Sequence, residues 1–393
     1  MSREIAEQWY RALAVGDRDA LARVLHPTFE AHVTAGMPLG LGGVYIGSDE
    51  ARRRFWGVIA RHYRARAVPE AFEMLPDGRM LVSGTYIGTA IASGKPLDAA
   101  FTHLLSFQDH QIIRLDQLTD SGRWHEALGE NGPLETIDYS MADGIATICL
   151  NRPGERNAID LQVAEDLLIA ARRCAADRGI RAVLIKGNGS ALTVGGDIGY
   201  FAESAPPHGE LLRRMTGPFH EAFRILSRLD APIVTAAHGS VAGGGLGFVY
   251  IADFVLAAEG TKFATGFAAL GLSGDGGGTW FLPRLVGVRR ATEMYLRNRV
   301  LDAREAAEWG LITEAVAPEE LAGRADELVR ELAAGPTRAF GRMRGLLRTA
   351  WDNTLSEQFV EESEALAATG DSMDAGRAIE AFAAKSRPTF EGR

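Results

Sequence analysis

Residues 241–247 read VAGGGLG and follow an apolar run, Pro232–Ala237, that ends in His238, Gly239 and Ser240. Three glycines in a row suit neither a helix interior nor a strand interior, because glycine loses the most backbone freedom on ordering. They suit a place where a backbone N–H must approach a ligand with no Cβ in the way. A helix starting there would present N–H groups with no partner inside it, a setting that favours negative charge. A tight strand-to-helix turn with close packing is the other reading of this stretch alone.

A second stretch, TVGGDI at residues 193–198, follows Ile180–Lys186, an apolar run that reads as a buried strand. Two glycine-rich strand ends can each aim one N–H at a single carbonyl oxygen, the geometry of an oxyanion hole. Together with NRPGERNA at Asn151–Ala158, in this order and spacing, the two stretches resemble the crotonase superfamily, the enoyl-CoA hydratase/isomerase group. The resemblance implies an α/β spiral of ββα turns with a helical C-terminal region, packed as trimers or pairs of trimers. It implies a thioester of coenzyme A, or of a carrier protein, as substrate, and no metal or redox cofactor. The backbone N–H groups of Gly196 and Gly244 would be the donors. Arg156, Ala158, Val194 and Asp197 would lie along the carrier and Lys385 near its phosphates, with Asp197 fixing its loop rather than reacting.

An oxyanion hole prepares many reactions and selects none; an acid–base group must do that. The two glutamates that hydratases of the superfamily use fall here at Gly247 and Phe267, so simple hydration is not expected. One acid remains nearby, Asp275, in GLSGDGGGTW at Gly271–Trp280. With FATGFAALGL before it, FLPRLVG after it and the closing FAAKSRPTFEGR, this stretch resembles the 2-(1,2-epoxy-1,2-dihydrophenyl)acetyl-CoA isomerase branch of the superfamily. In that branch an aspartate at this position moves the proton. The branch usually carries proline just before it, where this chain has Gly274. The competing role for Asp275 is to cap the helix expected at Gly277–Leu285.

At 393 residues the chain exceeds what one core usually supports, so two domains are expected. The net charge of −9 shows no basic stripe of the kind nucleic-acid binding requires. Two cysteines, Cys149 and Cys174, sit inside apolar patterns and fit a reducing compartment. The N-terminus MSREIAEQWYRA has charges where a signal peptide needs an apolar core, and Ala242–Ala258 is broken by Asp253. A soluble, cytoplasmic protein with no membrane or nucleic-acid partner is the expectation.

Before the linker GENGPLET (Gly129–Thr136) the pattern changes. Helices at residues 4–15, 19–25 and 47–63 precede strands at 71–75, 80–90, 99–108 and 111–119, with turns such as Pro76, Asp77 and Gly78 between them. This α+β pattern, with YIGSDEARRRFW at Tyr45–Trp56, resembles the NTF2-like superfamily, its SnoaL-like and ketosteroid-isomerase-like members in particular. The implied fold is a cone, residues 1–128, ahead of a crotonase domain at 137–393. Such cones enclose pockets or form dimers. His32, Trp56, Tyr86, His103, Asp116 and Asp120 are the candidate polar lining, the two aspartates sharing a strand face by their spacing of four.

The sequence reading is therefore an isomerase of an acyl thioester, with proton transfer by Asp275. A hydrolase or dehalogenase using Asp275 as nucleophile, and a ligand-binding or assembly protein without chemistry, stay open at this level.

Overall fold

The computed structural model describes residues 2–39, 41–91, 93–129 and 134–392. Contacts divide the chain into two compact units, one reaching to residue 133 and one starting at Leu134. Of the expected linker, residues 130–133 lie outside the described residues. Leu134–Thr136 belong to the second unit, where the buried Asp166 carboxylate accepts the N–H groups of Glu135 and Thr136.

In the first unit, six strands run β1 (Leu25–Val33), β2 (Gly43–Ile46), β3 (Tyr63–Met74), β4 (Met80–Ala90), β5 (Pro96–Gln108) and β6 (Gln111–Thr119). The sheet order is β2-β1-β6-β5-β4-β3, antiparallel throughout except where β1 lies parallel to β6. The helix at Ser2–Val15 buries Ala6, Trp9, Tyr10 and Ala12 against it. The expected first strand of the meander began at Ala71; β3 begins eight residues earlier and absorbs Tyr63, the expected end of the preceding helix. Pro69 accounts for the misreading. It lacks an N–H, and the ladder shifts register between Pro69 and Ala71. An edge strand tolerates this, and β3 is at the edge.

The second unit opens with the hairpin β7 (Ile137–Ala142) and β8 (Ile145–Leu150), then continues with β9 (Ala182–Gly187), β10 (Ile233–Ala237), β11 (Ser240–Ala242), β12 (Phe254–Ala258), β13 (Lys262–Ala264), β14 (Leu301–Asp302) and β15 (Glu314–Val316). The main sheet, β15-β12-β10-β9-β8-β7, is parallel from β8 onward. All five residues of β10 are buried, as expected for a parallel strand covered on both faces. The helix Leu161–Ala176 starts where Asp160 accepts the N–H of Val163. Its buried face carries Leu161, Ala164, Leu167, Leu168, Ala171 and Cys174, while Ala175 is exposed. This is an α/β fold with many helices, four of which, from Leu321 to Ala383, form the C-terminal region. No helix among the described residues is long and apolar enough to cross a membrane.

Candidate active site

The two glycine-rich stretches leave β9 and β10 side by side and are laced together. Thr193 N–H donates to the Ser240 carbonyl at 3.1 Å, and Ala242 N–H to the Thr193 carbonyl at 3.2 Å. The approach is so close that a Cβ on Gly195, itself at φ +86°, would lie 2.7 Å from the Ala242 carbonyl oxygen. Here glycine is a steric requirement. Gly196 N–H has no acceptor among the described residues, and Gly244 is the second residue of the turn Gly243–Leu246, whose first N–H groups have no partner within it.

Gly196, Gly244, Val194 and Asp275 line one cavity of about 360 Å³, walled mostly by apolar side chains including Phe219, Phe267 and Leu272, with Thr216, Thr265 and Ser273 also in the lining. The Asp275 carboxylate abuts the second loop: Oδ2 lies 3.1 Å from the position a Cβ on Gly244 would take. Asp275 does not cap the following helix with its side chain; Gly277 is the N-cap, and only the Asp275 carbonyl accepts, from Gly278 N–H. The capping alternative therefore falls.

His220 was not among the residues read from the sequence. Its Nε2 sits 2.5 Å from Asp275 Oδ1, and this contact holds the imidazole pKa above its ordinary value against the opposing effect of burial. The signal was faint. His220 lies at the margin of the apolar stripe Met215, Phe219, Ala222, Phe223 and Leu226 on helix Gly209–Ser227, and a lone histidine there reads as a surface residue.

The two expected glutamate positions are filled by hydrocarbon. A Cβ on Gly247 would come 2.1 Å from Phe223 Cε2, so that ring occupies the space a glutamate would need. Phe267 stacks on Tyr295 with ring centroids 6.2 Å apart. Tyr295 also explains Gly274: a Cβ there would lie 2.8 Å from Tyr295 Cε1 and 2.9 Å from Thr279 Cγ2. Burial and the Asp275 charge push the Tyr295 phenol up to about 12.

Among the residues expected along the carrier, Arg156 is exposed in a left-handed backbone conformation, donates to Ser240 Oγ at 3.2 Å and accepts Val194 N–H through its carbonyl. Ala158 is buried behind it. Asp197 caps the helix Ile198–Ala202 and pairs with Arg152 at 3.3 Å. Lys385 lies beyond the last helix and does not line the cavity. No group of three or more His, Cys, Asp or Glu side chains among the described residues is placed to hold a metal ion.

In the first unit Trp56, Tyr86 and His103 line a second cavity. His32, Asp116 and Asp120 do not. Strand alternation puts Leu115 on the cavity side, so Asp116 faces away and pairs with Arg114, while His32 contacts Glu30 at 3.2 Å. Asp120 has left the strand and caps helix Ser121–Leu128 by accepting Arg123 N–H.

Two laced glycine loops facing an apolar cavity with a carboxylate, on a parallel sheet, define a crotonase-type enzyme unit. Residues 140–393 match the enoyl-CoA hydratase/isomerase family, and residues 6–115 match the SnoaL-like domain. The chain belongs to the enoyl-CoA hydratase/isomerase family, with a SnoaL-like domain ahead of the catalytic unit. It is 34% identical over 264 residues to the 1,2-epoxyphenylacetyl-CoA isomerase of Escherichia coli (strain K12), covering 66% of this chain and 100% of that protein. It is 31% identical over 224 residues to 4-chlorobenzoyl coenzyme A dehalogenase-2 of Arthrobacter sp, covering 56% and 80%. The crystal structure of enoyl-CoA hydratase from Bacillus anthracis superposes with a TM-score of 0.62 at 26% identity, over 66% of this chain and all of that one.

Proposed function

We propose that the second unit isomerises an acyl-CoA thioester, with the enolate held by the N–H groups of Gly196 and Gly244 and the proton carried by Asp275. The observation that carries the reading is the Asp275 carboxylate against Gly244, inside the cavity that Gly196 also lines. The carboxylate takes a proton from the α or γ carbon, the C–H electrons shift toward the thioester oxygen, and the two N–H groups stabilise the charge that develops there. Each well-placed donor contributes about 3 kcal/mol to that stabilisation. Asp275 then returns the proton to a different carbon, which moves the double bond or opens a strained ring. His220 fixes the carboxylate by holding Oδ1. Hydration is disfavoured because Phe223 and Phe267 stand where two water-holding carboxylates would be needed.

A panel of enoyl-CoA thioesters incubated in D2O, with the position of deuterium read by NMR, tests this. Deuterium at the α or γ carbon supports it; thioesters that remain unlabelled throughout the panel count against it.

A second reading makes Asp275 a nucleophile, and the His220 contact favours it, since a histidine beside an ester intermediate could activate water. Turnover in H₂¹⁸O separates the two. Hydrolysis of an ester to Asp275 leaves ¹⁸O in that side chain, and proton shuttling leaves none.

The reading includes self-association through the last two helices, Leu355–Gly370 and Met373–Ala383, on which Phe359, Val360, Leu366, Ile379 and Phe382 are exposed. A trimer or hexamer by light scattering is the expected result.

A further inference from the structure

Asp275 sits in the turn at residues 274–278, where every other residue is glycine. A 3.1 Å hydrogen bond from Gly278 N–H to the Asp275 carbonyl closes it. A backbone this rich in glycine does not fix the aim of a carboxylate by itself, because glycine restricts φ and ψ least. Its neighbours must do so. One neighbour is the second oxyanion loop: a Cβ on Gly276 would lie 2.5 Å from the Gly244 carbonyl oxygen.

The other neighbour is Tyr295, on the helix Val288–Leu296. A Cβ on Gly274 would lie 2.8 Å from its Cε1, and a Cβ on Gly278 would run into its Oη. Both ends of the turn therefore rest on one ring. That ring is itself anchored to the wall of the catalytic cavity. It stacks on Phe267 with centroids 6.2 Å apart, and the carbonyl of the preceding residue, the buried Met294, accepts from Thr265 Oγ1 at 2.7 Å. Phe267 and Thr265 line the cavity, whereas Tyr295 does not. The Tyr295 hydroxyl is sealed from solvent, and burial with the Asp275 charge pushes its pKa up to about 12. The phenol thus stays neutral at working pH, and what it contributes is shape.

We infer that Tyr295 is a positioning residue, whose ring holds the turn at residues 274–278 where one Asp275 oxygen meets His220 and the other stands against Gly244. The consequence for turnover rests on Asp275 being the proton carrier; the placement itself does not.

Two readouts keep placement and chemistry apart. NMR titration of His220 in the free protein, its signal assigned by its loss in His220→Gln, reports the Asp275 contact without any turnover. Tyr295→Leu keeps an apolar side chain but cannot reach both ends of the turn, so the His220 pKa should fall toward the ordinary histidine value. Tyr295→Phe keeps the ring and should leave that pKa raised. For deuterium exchange into a thioester that wild type labels, kcat should fall about tenfold in Tyr295→Leu with KM within about twofold, and stay near wild type in Tyr295→Phe. Gly274→Ala disturbs the same contact from its other partner, with every buried side chain in place. It should lower the His220 pKa when Tyr295 is intact and lower it no further in the Tyr295→Leu background. Thermal melting establishes that each variant is folded, and Gly274→Ala carries the test where Tyr295→Leu is not.

A His220 pKa unmoved in folded Tyr295→Leu, or moved equally by Tyr295→Phe, would overturn the inference. So would an additive further drop in the double variant, which would assign the contact to Thr279, whose Cγ2 lies 2.9 Å from the same Cβ position. A lowered His220 pKa with exchange at the wild-type rate would uphold the placement by Tyr295 and strike the reading of Asp275 as the proton carrier.

Discussion

His220 Nε2 and Asp275 Oδ1 lie 2.5 Å apart, joining the helix Gly209–Ser227 to the loop before Gly278–Val286. The other oxygen, Oδ2, stands against Gly244. The two oxygens of one carboxylate are thus divided between a partner that orients it and the loop that carries an oxyanion donor.

This division makes the site sensitive to the charge on His220. Its pKa is raised in the folded protein by Asp275, so the stabilising pair is fully present below the ordinary histidine value and lost as pH rises through the raised one. The kcat/KM profile for thioester isomerisation should therefore bend above the ordinary histidine range. In His220→Gln that bend should vanish and turnover fall about tenfold. The same bend persisting in the variant would assign it to another group.

Gly244→Val should remove productive thioester binding and leave the fold intact. A Cβ there would sit 3.1 Å from Asp275 Oδ2 and 3.5 Å from Phe219 Cε1, and valine adds two methyls in front of the N–H. Turnover should fall well beyond the ~10²-fold typical of losing one donor. Near wild-type turnover would reduce the loop to a packing turn.

Restoring the hydratase glutamates should fail on steric grounds. Gly247→Glu drives its Cβ into the Phe223 ring, so the variant should lose stability and still not hydrate crotonyl-CoA. Combining it with Phe223→Ala should recover folding, read by thermal melting. A stable Gly247→Glu protein with wild-type Phe223 would show that the ring yields.

Arg344 ties the helix Thr337–Thr349 to the sheet. It is buried, pairs with Asp253 at 2.7 Å and donates to the carbonyls of Leu229 and Ala231. Arg344→Ala leaves three acceptors without their donor and should cost roughly 3 kcal/mol, seen as a lower urea midpoint. An unchanged midpoint would mean the helix is held by its apolar contacts alone.

Much of this was legible before the structure. The strands at Met80–Ala90 and Gln111–Thr119 begin and end where periodicity and turn residues put them. The glycine runs were local signals, and the family resemblance singled out Gly196, Gly244 and Asp275 within and near them as candidates. What escaped was relational. Asp116 and Asp120 share a face only if the strand continues, and it stops at Thr119 so that Asp120 can cap a helix. His220 is 55 residues from Asp275. Phe223 gains its meaning at Gly247, and Tyr295 at Gly274, only once the helices are packed.

The most direct test of the central claim is Asp275→Asn in D2O. Asparagine keeps the shape of the side chain and removes its basicity, so binding of coenzyme A thioesters and the melting temperature should match wild type. Deuterium incorporation at the α and γ carbons should fall to background. Incorporation at the wild-type rate would contradict the assignment of Asp275 as the group that moves the proton.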